Sequence, residues 1–256
     1  MKIDPRAVVH QNARIARDVE IGPFSIVGEN VTIGAGTRID SSVVIDGWTA
    51  IGKNCRIFPG VVIGTEPQDV KYKGARSYVE IGDNNIIREF TTVHRGTDEE
   101  SKTVIGSDNF IMAYCHFGHN SKVGNNVIMA NGVTLGGFVE VEDRAYISGF
   151  VPIHQFIRIG TLSLSAPLTR LTMDLPPYLL ADGNPPQVHG LNTIGLERAG
   201  FTAETISLLK KAYKLLSRSK LNISQAVAKI EKELEPIPEI KHFVEFIKST
   251  KRGIHR

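Results

Sequence analysis

An aliphatic residue recurs at every sixth position from Val9 to Ile63: Val9, Ile15, Ile21, Val27, Ile33, Ile39, Ile45, Ile51, Ile57 and Ile63. A second run from Ile105 to Ile159 keeps the same phase, with Phe117 and Met129 among its members, and Ile81, Ile87 and Val93 fall on it between the two. A helix repeats about every 3.6 residues and a flat strand roughly every 2, so neither favours a strict six-residue period. The pattern predicts an all-β solenoid, a parallel β-helix of hexapeptide repeats in which three hexads close one triangular coil. The small or β-branched residue two places before each aliphatic, such as Val19, Ser25, Val31, Cys115 or Ser121, is expected to point inward too. Glycine often follows the aliphatic, as at Gly22, Gly34, Gly118 and Gly136, where a turn without Cβ is expected.

Two polar stretches interrupt the rhythm, near 65–78 and 97–102. In a solenoid such insertions project from one face and often carry binding groups. The hexads read as stopping after Ile159, and Pro and Gly cluster from Asp174 to Gly190. The sequence therefore divides into a β-helix over 1–190 and a helical domain over 191–256. The latter is expected to hold four helices, Leu191 to Ala199, Ala203 to Ser219, Ser224 to Leu234 and Pro238 to Ser249, with Thr202 and Asn222 as N-terminal caps.

The net charge of +3 in 256 residues gives no nucleic-acid footprint. Charge is local instead: Lys210, Lys211, Lys214, Arg218 and Lys220 follow one another along the second helix, a solvated face or a dock for an acidic partner. The N-terminus lacks an apolar signal stretch and no segment reaches transmembrane length, which points to the cytoplasm. Cys55 and Cys115 both occupy the inward small position and read as reduced core thiols.

Chemistry must then sit on outward positions. Residues 18 apart stack on successive coils, about 4.8 Å apart, so His119 lies over Gly137 and then Gln155, flanked by a column of Gly118, Gly136 and His154. Histidines converging beside glycines that clear space suit general base catalysis near neutral pH. Zinc held by His94, His116, His119 and His154 is the rival reading, although no known ligand spacing is present.

At these residues the chain resembles a known family. The hexads, PQDVKY (Pro67 to Tyr72), HRGT (His94 to Thr97), IGSDNFIMAYCHFGHN (Ile105 to Asn120), IHQF (Ile153 to Phe156), DLPPY (Asp174 to Tyr178), GNPPQVHGLN (Gly183 to Asn192) and ERAGF (Glu197 to Phe201) together look like the UDP-N-acetylglucosamine acyltransferases of lipid A biosynthesis. The resemblance covers nearly the whole chain. It implies a homotrimer of left-handed β-helices with active sites between subunits. It also implies transfer of an (R)-3-hydroxyacyl chain from acyl carrier protein to the 3-hydroxyl of UDP-N-acetylglucosamine, with the carrier thioester as co-substrate and neither cofactor nor metal. By motif, His119 is the general base. Gln68, Asp69, Lys71 and His116 contact the nucleotide sugar, Asn192 and Arg198 meet the acyl donor or the phosphates, the Gly137 amide is an oxyanion donor, and the basic helix receives the acidic carrier protein; His154 and Gln155, converging with His119 by the 18-residue stacking, are expected to bind substrate as well.

The sequence departs from the family pattern in four places. Asn120 stands where a carboxylate usually follows the base, which implies slower turnover or another orienting group, and Phe138 replaces a histidine, which implies a lost sugar contact. Ala166, Pro167 and Arg170 occupy a stretch that is usually glycine-rich, implying a shorter or redirected acyl pocket. Ile194 replaces a common Glu, which leaves open a 3-amino sugar as acceptor. A weakly catalytic binding or structural trimer is the remaining alternative.

Overall fold

Each hexad folds into a two-residue strand and a turn, and three hexads go once round a triangular prism. In the computed structural model, which describes residues 2–256, Lys2–Ile3, Val8–Val9 and Arg14–Ile15 start three separate sheets. Lys2 pairs with Glu20, Val8 with Ile26 and Arg14 with Thr32, each in parallel and one coil on. The winding is left-handed. Across the first excursion the register widens, so that Arg56 pairs with Ile86, and across the second Ile86 pairs with Phe110. Both loops therefore leave the prism without breaking its ladders.

The two inward positions of each hexad fill the interior: Val31 and Ile33, Val43 and Ile45, and Val61 and Ile63 are all buried, while Thr32, Val44 and Val62 between them face out or half out. Each such aliphatic contributes about 1.5–3 kcal/mol on leaving water. Both cysteines are free and buried, and burial pushes the Cys115 thiol up to about 12, so neither is a reactive thiolate.

The structure corrects the reading of the hexad glycines. The left-handed turn residue comes two places after the glycine position and is usually not glycine: Asn120, Phe138 and Phe156 have φ of 61°, 60° and 65°. Gly118 and Gly136 are needed for close approach instead. A Cβ on Gly118 would lie 2.8 Å from the Gly136 carbonyl carbon, and one on Gly136 would lie 2.7 Å from the Gln155 nitrogen.

The coils also run past Ile159. Leu164–Ser165 adds a further strand, and Leu171 and Leu175 bridge to Ile153 and Ile159. The period is masked there because the inward aliphatic is replaced by Ser165, buried like Ser163 and Thr169, with none of these three hydroxyls hydrogen-bonded. The Pro- and Gly-rich stretch is likewise structured. Leu179–Asp182 joins the first sheet in parallel and turns back as an antiparallel hairpin with Gln187–Leu191.

Four helices follow: α1 (Thr193–Arg198), α2 (Ala203–Ser217), α3 (Ile223–Glu233) and α4 (Pro238–Lys248). Thr202 and Asn222 cap α2 and α3 by accepting from Thr205 N and Gln225 N, and Asn222 closes a capping box with Gln225. The helices are tied to the prism by charge. Arg158 stacks its guanidinium 4.1 Å from the Phe246 ring centroid and donates to Ser249 Oγ at 2.8 Å, and His242 Nε2 lies 2.8 Å from Glu142 Oε2.

The hydrogen bond to Glu142 raises His242 above the ordinary imidazole value, against the lowering effect of its partial burial. Because the folded value is raised, the stabilisation is complete below the unfolded value of about 6.5 and is lost as pH rises through the folded value. The gap in thermal midpoint between wild type and His242→Ala should be wider at about pH 6 than at about pH 9. An equal gap at both would remove this ion pair from the domain junction.

Candidate active site

Along the second sheet, Thr92, His116, Thr134 and Pro152 stand in register. The turns that follow the last three strands carry His119, Gly137 and Gln155. A cleft of about 320 Å³ opens at this corner, walled by Gln68, His94, His116, Gly118, His119, Leu135, Gly136, Gly137 and Gln155. Gly137 makes room for the imidazole above it, since a Cβ there would lie 2.5 Å from His119 Cε1 and 2.6 Å from Nε2.

His119 Nδ1 lies 3.0 Å from Asn120 Oδ1. That oxygen also accepts from the backbone N–H of Thr97 at 3.1 Å and from its hydroxyl at 3.0 Å. Since a main-chain N–H can only donate, the amide oxygen faces inward and Nδ1 carries the proton. Nε2 keeps its lone pair, the form a general base requires. Thr97 comes from the second excursion, so this loop holds Asn120, and Asn120 orients the ring. Asn120 thus supplies the geometry of an orienting carboxylate without its charge. The Phe138 ring, one coil on from Asn120, meets His119 edge-on at 5.3 Å and lies on Phe156 at 4.9 Å.

Two further imidazoles line the cleft, 5.2 Å apart between centroids. His94 donates from Nδ1 to the Glu66 carbonyl at 2.6 Å, and its buried Nε2 has no protein partner. His116 Nδ1 shares a hydrogen bond with Thr92 Oγ1 at 2.8 Å. Burial lowers both from the ordinary imidazole value, His116 to about 4, and the neighbouring histidines add to the effect. Both are therefore neutral hydrogen-bonding groups at physiological pH. In the sequence His94 stood out only as a possible zinc ligand and a member of HRGT, and Thr97 only as a member of HRGT; the roles seen here depend on a loop path that the hexad period does not describe.

Of the other expected site residues, Gln68 and Gln155 join the cleft wall, but Asp69 and Lys71 do not. Asp69 Oδ1 accepts from Lys71 N at 2.9 Å and shapes the first excursion. His154 stands beside the cleft, exposed, with Nδ1 against Arg252. Asn192 is buried and its amide is held at both ends, since Oδ1 caps α1 at Gly195 N and one Nδ2 N–H donates to Leu162 O. Its role within this chain is to fasten α1 to the prism. Arg198 is exposed at the end of α1, away from the cleft wall. Among the described residues no group of three or more His, Cys, Asp or Glu is arranged to hold a metal ion, so the zinc reading of the histidines has no ligand set.

Lys210, Lys211, Lys214, Arg218 and Lys220 are all exposed on or just after α2, and none forms an ion pair among the described residues. No described helix is long and apolar enough to cross a membrane.

Comparisons with known proteins converge. A family profile described as UDP-N-acetylglucosamine O-acyltransferase, domain 2, matches residues 174–255, and one described as bacterial transferase hexapeptide (six repeats) matches 102–137. The chain is 51% identical to the acyl-acyl-carrier-protein UDP-N-acetylglucosamine O-acyltransferase of Thermodesulfovibrio yellowstonii, over 100% of this chain and 99% of the relative. It is 46% identical to the protein of that name from Ectopseudomonas mendocina, over 99% of each. Its fold superposes on the UDP-N-acetylglucosamine acyltransferase from Bacteroides fragilis with a TM-score of 0.97 at 41% identity, covering 99% of both chains. For the enzyme from Francisella novicida the TM-score is 0.95 at 42% identity, over 99% of this chain and 94% of that one.

Proposed function

The chain belongs to the acyl carrier protein-dependent UDP-N-acetylglucosamine O-acyltransferases, and on that premise we propose how its residues perform the transfer that opens lipid A biosynthesis. The carrying observation is His119: Nδ1–H is fixed on Asn120 Oδ1 while Nε2 is left unpartnered beside the cleft. In our reading Nε2 takes the proton from the 3-hydroxyl of the sugar as that oxygen attacks the carbonyl of an (R)-3-hydroxyacyl thioester. The C–O bond forms, the tetrahedral oxyanion is held by the Gly137 N–H, the C–S bond breaks, and the proton passes from His119 to the departing thiolate. Every atom is accounted for by the two substrates, so the step calls for no cofactor.

Neutral His94 and His116, with Gln68 and Gln155, would hydrogen-bond the sugar hydroxyls and amide. Asp69, Lys71, His154, Asn192 and Arg198 lie outside the cleft wall of a single chain; for them we propose contact with the nucleotide or the acyl donor in an assembly where a neighbouring subunit closes the cleft. An exposed apolar ridge supports a homotrimer. Phe24, Phe90, Tyr114, Phe150 and Leu168 project from one prism edge, each more than half exposed, and ridges of this kind mark protein contacts. Pro167 and Arg170, exposed beside Leu168, would shorten the acyl groove. The relatives are named as O-acyltransferases, which favours a hydroxyl over an amine acceptor and catalysis over a purely structural trimer. We place the reaction in the cytoplasm.

The unpaired cations of α2 suit an acidic carrier protein. Lys210→Glu, Lys211→Glu and Lys214→Glu together should raise KM for the acyl carrier protein thioester by at least about tenfold, a loss on the order of 1.4 kcal/mol, and flatten its salt dependence. KM for UDP-N-acetylglucosamine and turnover with a short pantetheine thioester should stay the same. Equal losses with both donors would place carrier docking elsewhere.

A further inference from the structure

The last residues of the chain return to the catalytic corner. Thr250 Oγ1 donates to the buried Asp174 carboxylate at 2.8 Å, Asp174 N donates to Gly253 O, and His255 N donates to Asp174 O. His255 is itself buried, and its Nε2 accepts from the N–H groups of Thr172 and Met173. Ile254 is buried beside it and bridges to Asp174. This tail is an ordered edge of the β-helix, and it sets Arg252 in place. The Arg252 guanidinium sits 5.7 Å from the Phe156 ring centroid, and its Nη2 donates to the Gln155 carbonyl at 3.0 Å and lies 2.9 Å from His154 Nδ1.

That last contact decides a tautomer. His154 Nδ1 is also 3.2 Å from the Gln155 carbonyl oxygen, a distance at which a protonated Nδ1 would donate to it. A guanidinium carries no acceptor, so its N–H at 2.9 Å requires a lone pair on Nδ1. The proton of neutral His154 is therefore on Nε2. Without Arg252, the nearest remaining partner of Nδ1 is an acceptor, and the proton moves to Nδ1. Removing one tail side chain converts Nε2 from a donor to an acceptor.

We propose that Arg252 is a positioning residue that holds His154 as the Nε2–H donor toward the nucleotide sugar, making the C-terminal tail part of the active site. The proposal rests on the reading of His154 as a substrate contact. Nitrogen-15 NMR of the histidine side chains should show His154 protonated on Nε2 in wild type and on Nδ1 in Arg252→Ala. KM for UDP-N-acetylglucosamine should rise about tenfold, as expected when one hydrogen bond of a charged or oriented group is lost, with kcat changed less. Arg252→Lys, which keeps a donor, should recover part of that loss. In a His154→Ala background the Arg252 substitution should cost nothing further, and Lys251→Ala, on the same tail, should behave as wild type.

An Nε2–H tautomer that persists in Arg252→Ala, or an unchanged KM, overturns the proposal. So does an equal loss in Arg252→Ala and Arg252→Lys that follows a fall in thermal midpoint, which would make the residue merely structural. If His154→Ala alone leaves KM unchanged, the reading of His154 as a substrate contact fails, whereas the tautomer measurement still reports on Arg252 directly.

Discussion

Replacing His119 by alanine should lower kcat by roughly 100- to 10,000-fold, the contribution of a positioned general base, with little change in KM for either substrate. The ring is half-buried and its one protein hydrogen bond is to Asn120, so the fold should survive the change. The size of the loss follows from the fixed tautomer: Thr97 pins the amide oxygen and the amide oxygen pins Nδ1–H, while His94, whose Nε2 also lacks a protein partner, is buried and made a weaker base by that burial. His116, with its value pressed down to about 4 by burial, is too weak a base to substitute. Asn120→Asp should act in the opposite direction. A carboxylate in the same place keeps the geometry and adds charge stabilisation of the imidazolium, and kcat should rise by about tenfold. If Asn120→Asp were no faster than wild type, the amide would already supply all the orientation that the step needs, and charge would contribute nothing.

Gly137→Ala is expected to be nearly as damaging, through displacement alone. The added methyl would sit 2.5–3.0 Å from three atoms of the His119 ring, closer than real Cβ contacts allow, so the imidazole must shift. A misplacement on the order of 1 Å costs about 100-fold in rate. Gly137 has no left-handed φ, so the backbone accepts alanine and the thermal midpoint should stay close to wild type. Gly149 offers the matched control: a Cβ there meets only Asn131 O, at an ordinary 3.5 Å, and Gly149→Ala should retain full activity. Full activity in Gly137→Ala would mean that the imidazole need not sit where the structure has it.

The architecture was legible because one residue in six had to be aliphatic for the prism to fill, and Ile33, Ile45, Ile63 and Ile87 record that directly. Where the inward residue became Ser165, the signal vanished although the coil did not. The 18-residue arithmetic also brought His119, Gly137 and Gln155 together, because the ladder register is regular there. It failed for groups delivered by irregular chain. The Thr97 contact depends on the path of the second excursion, and Arg252 reaches His154 only because the tail folds back along Asp174. The hexad glycines were visible but misread, since a period shows that a Cβ is excluded without showing whether a dihedral or a neighbouring coil excludes it. Asn192 resembled a binding residue in the sequence, and its cap on α1 became apparent only when its amide partners were in view.

The most direct test of general-base O-acyl transfer at this corner is a mass measurement. Purified protein is incubated with an (R)-3-hydroxyacyl carrier protein thioester and UDP-N-acetylglucosamine, and the nucleotide sugar is analysed beside the released thiol. The expected result is a sugar heavier by one acyl group, as an alkali-labile ester, with one thiol freed per ester and almost none of either with His119→Ala. Wild-type product no greater than that of His119→Ala, or thiol release without sugar acylation, would contradict the account.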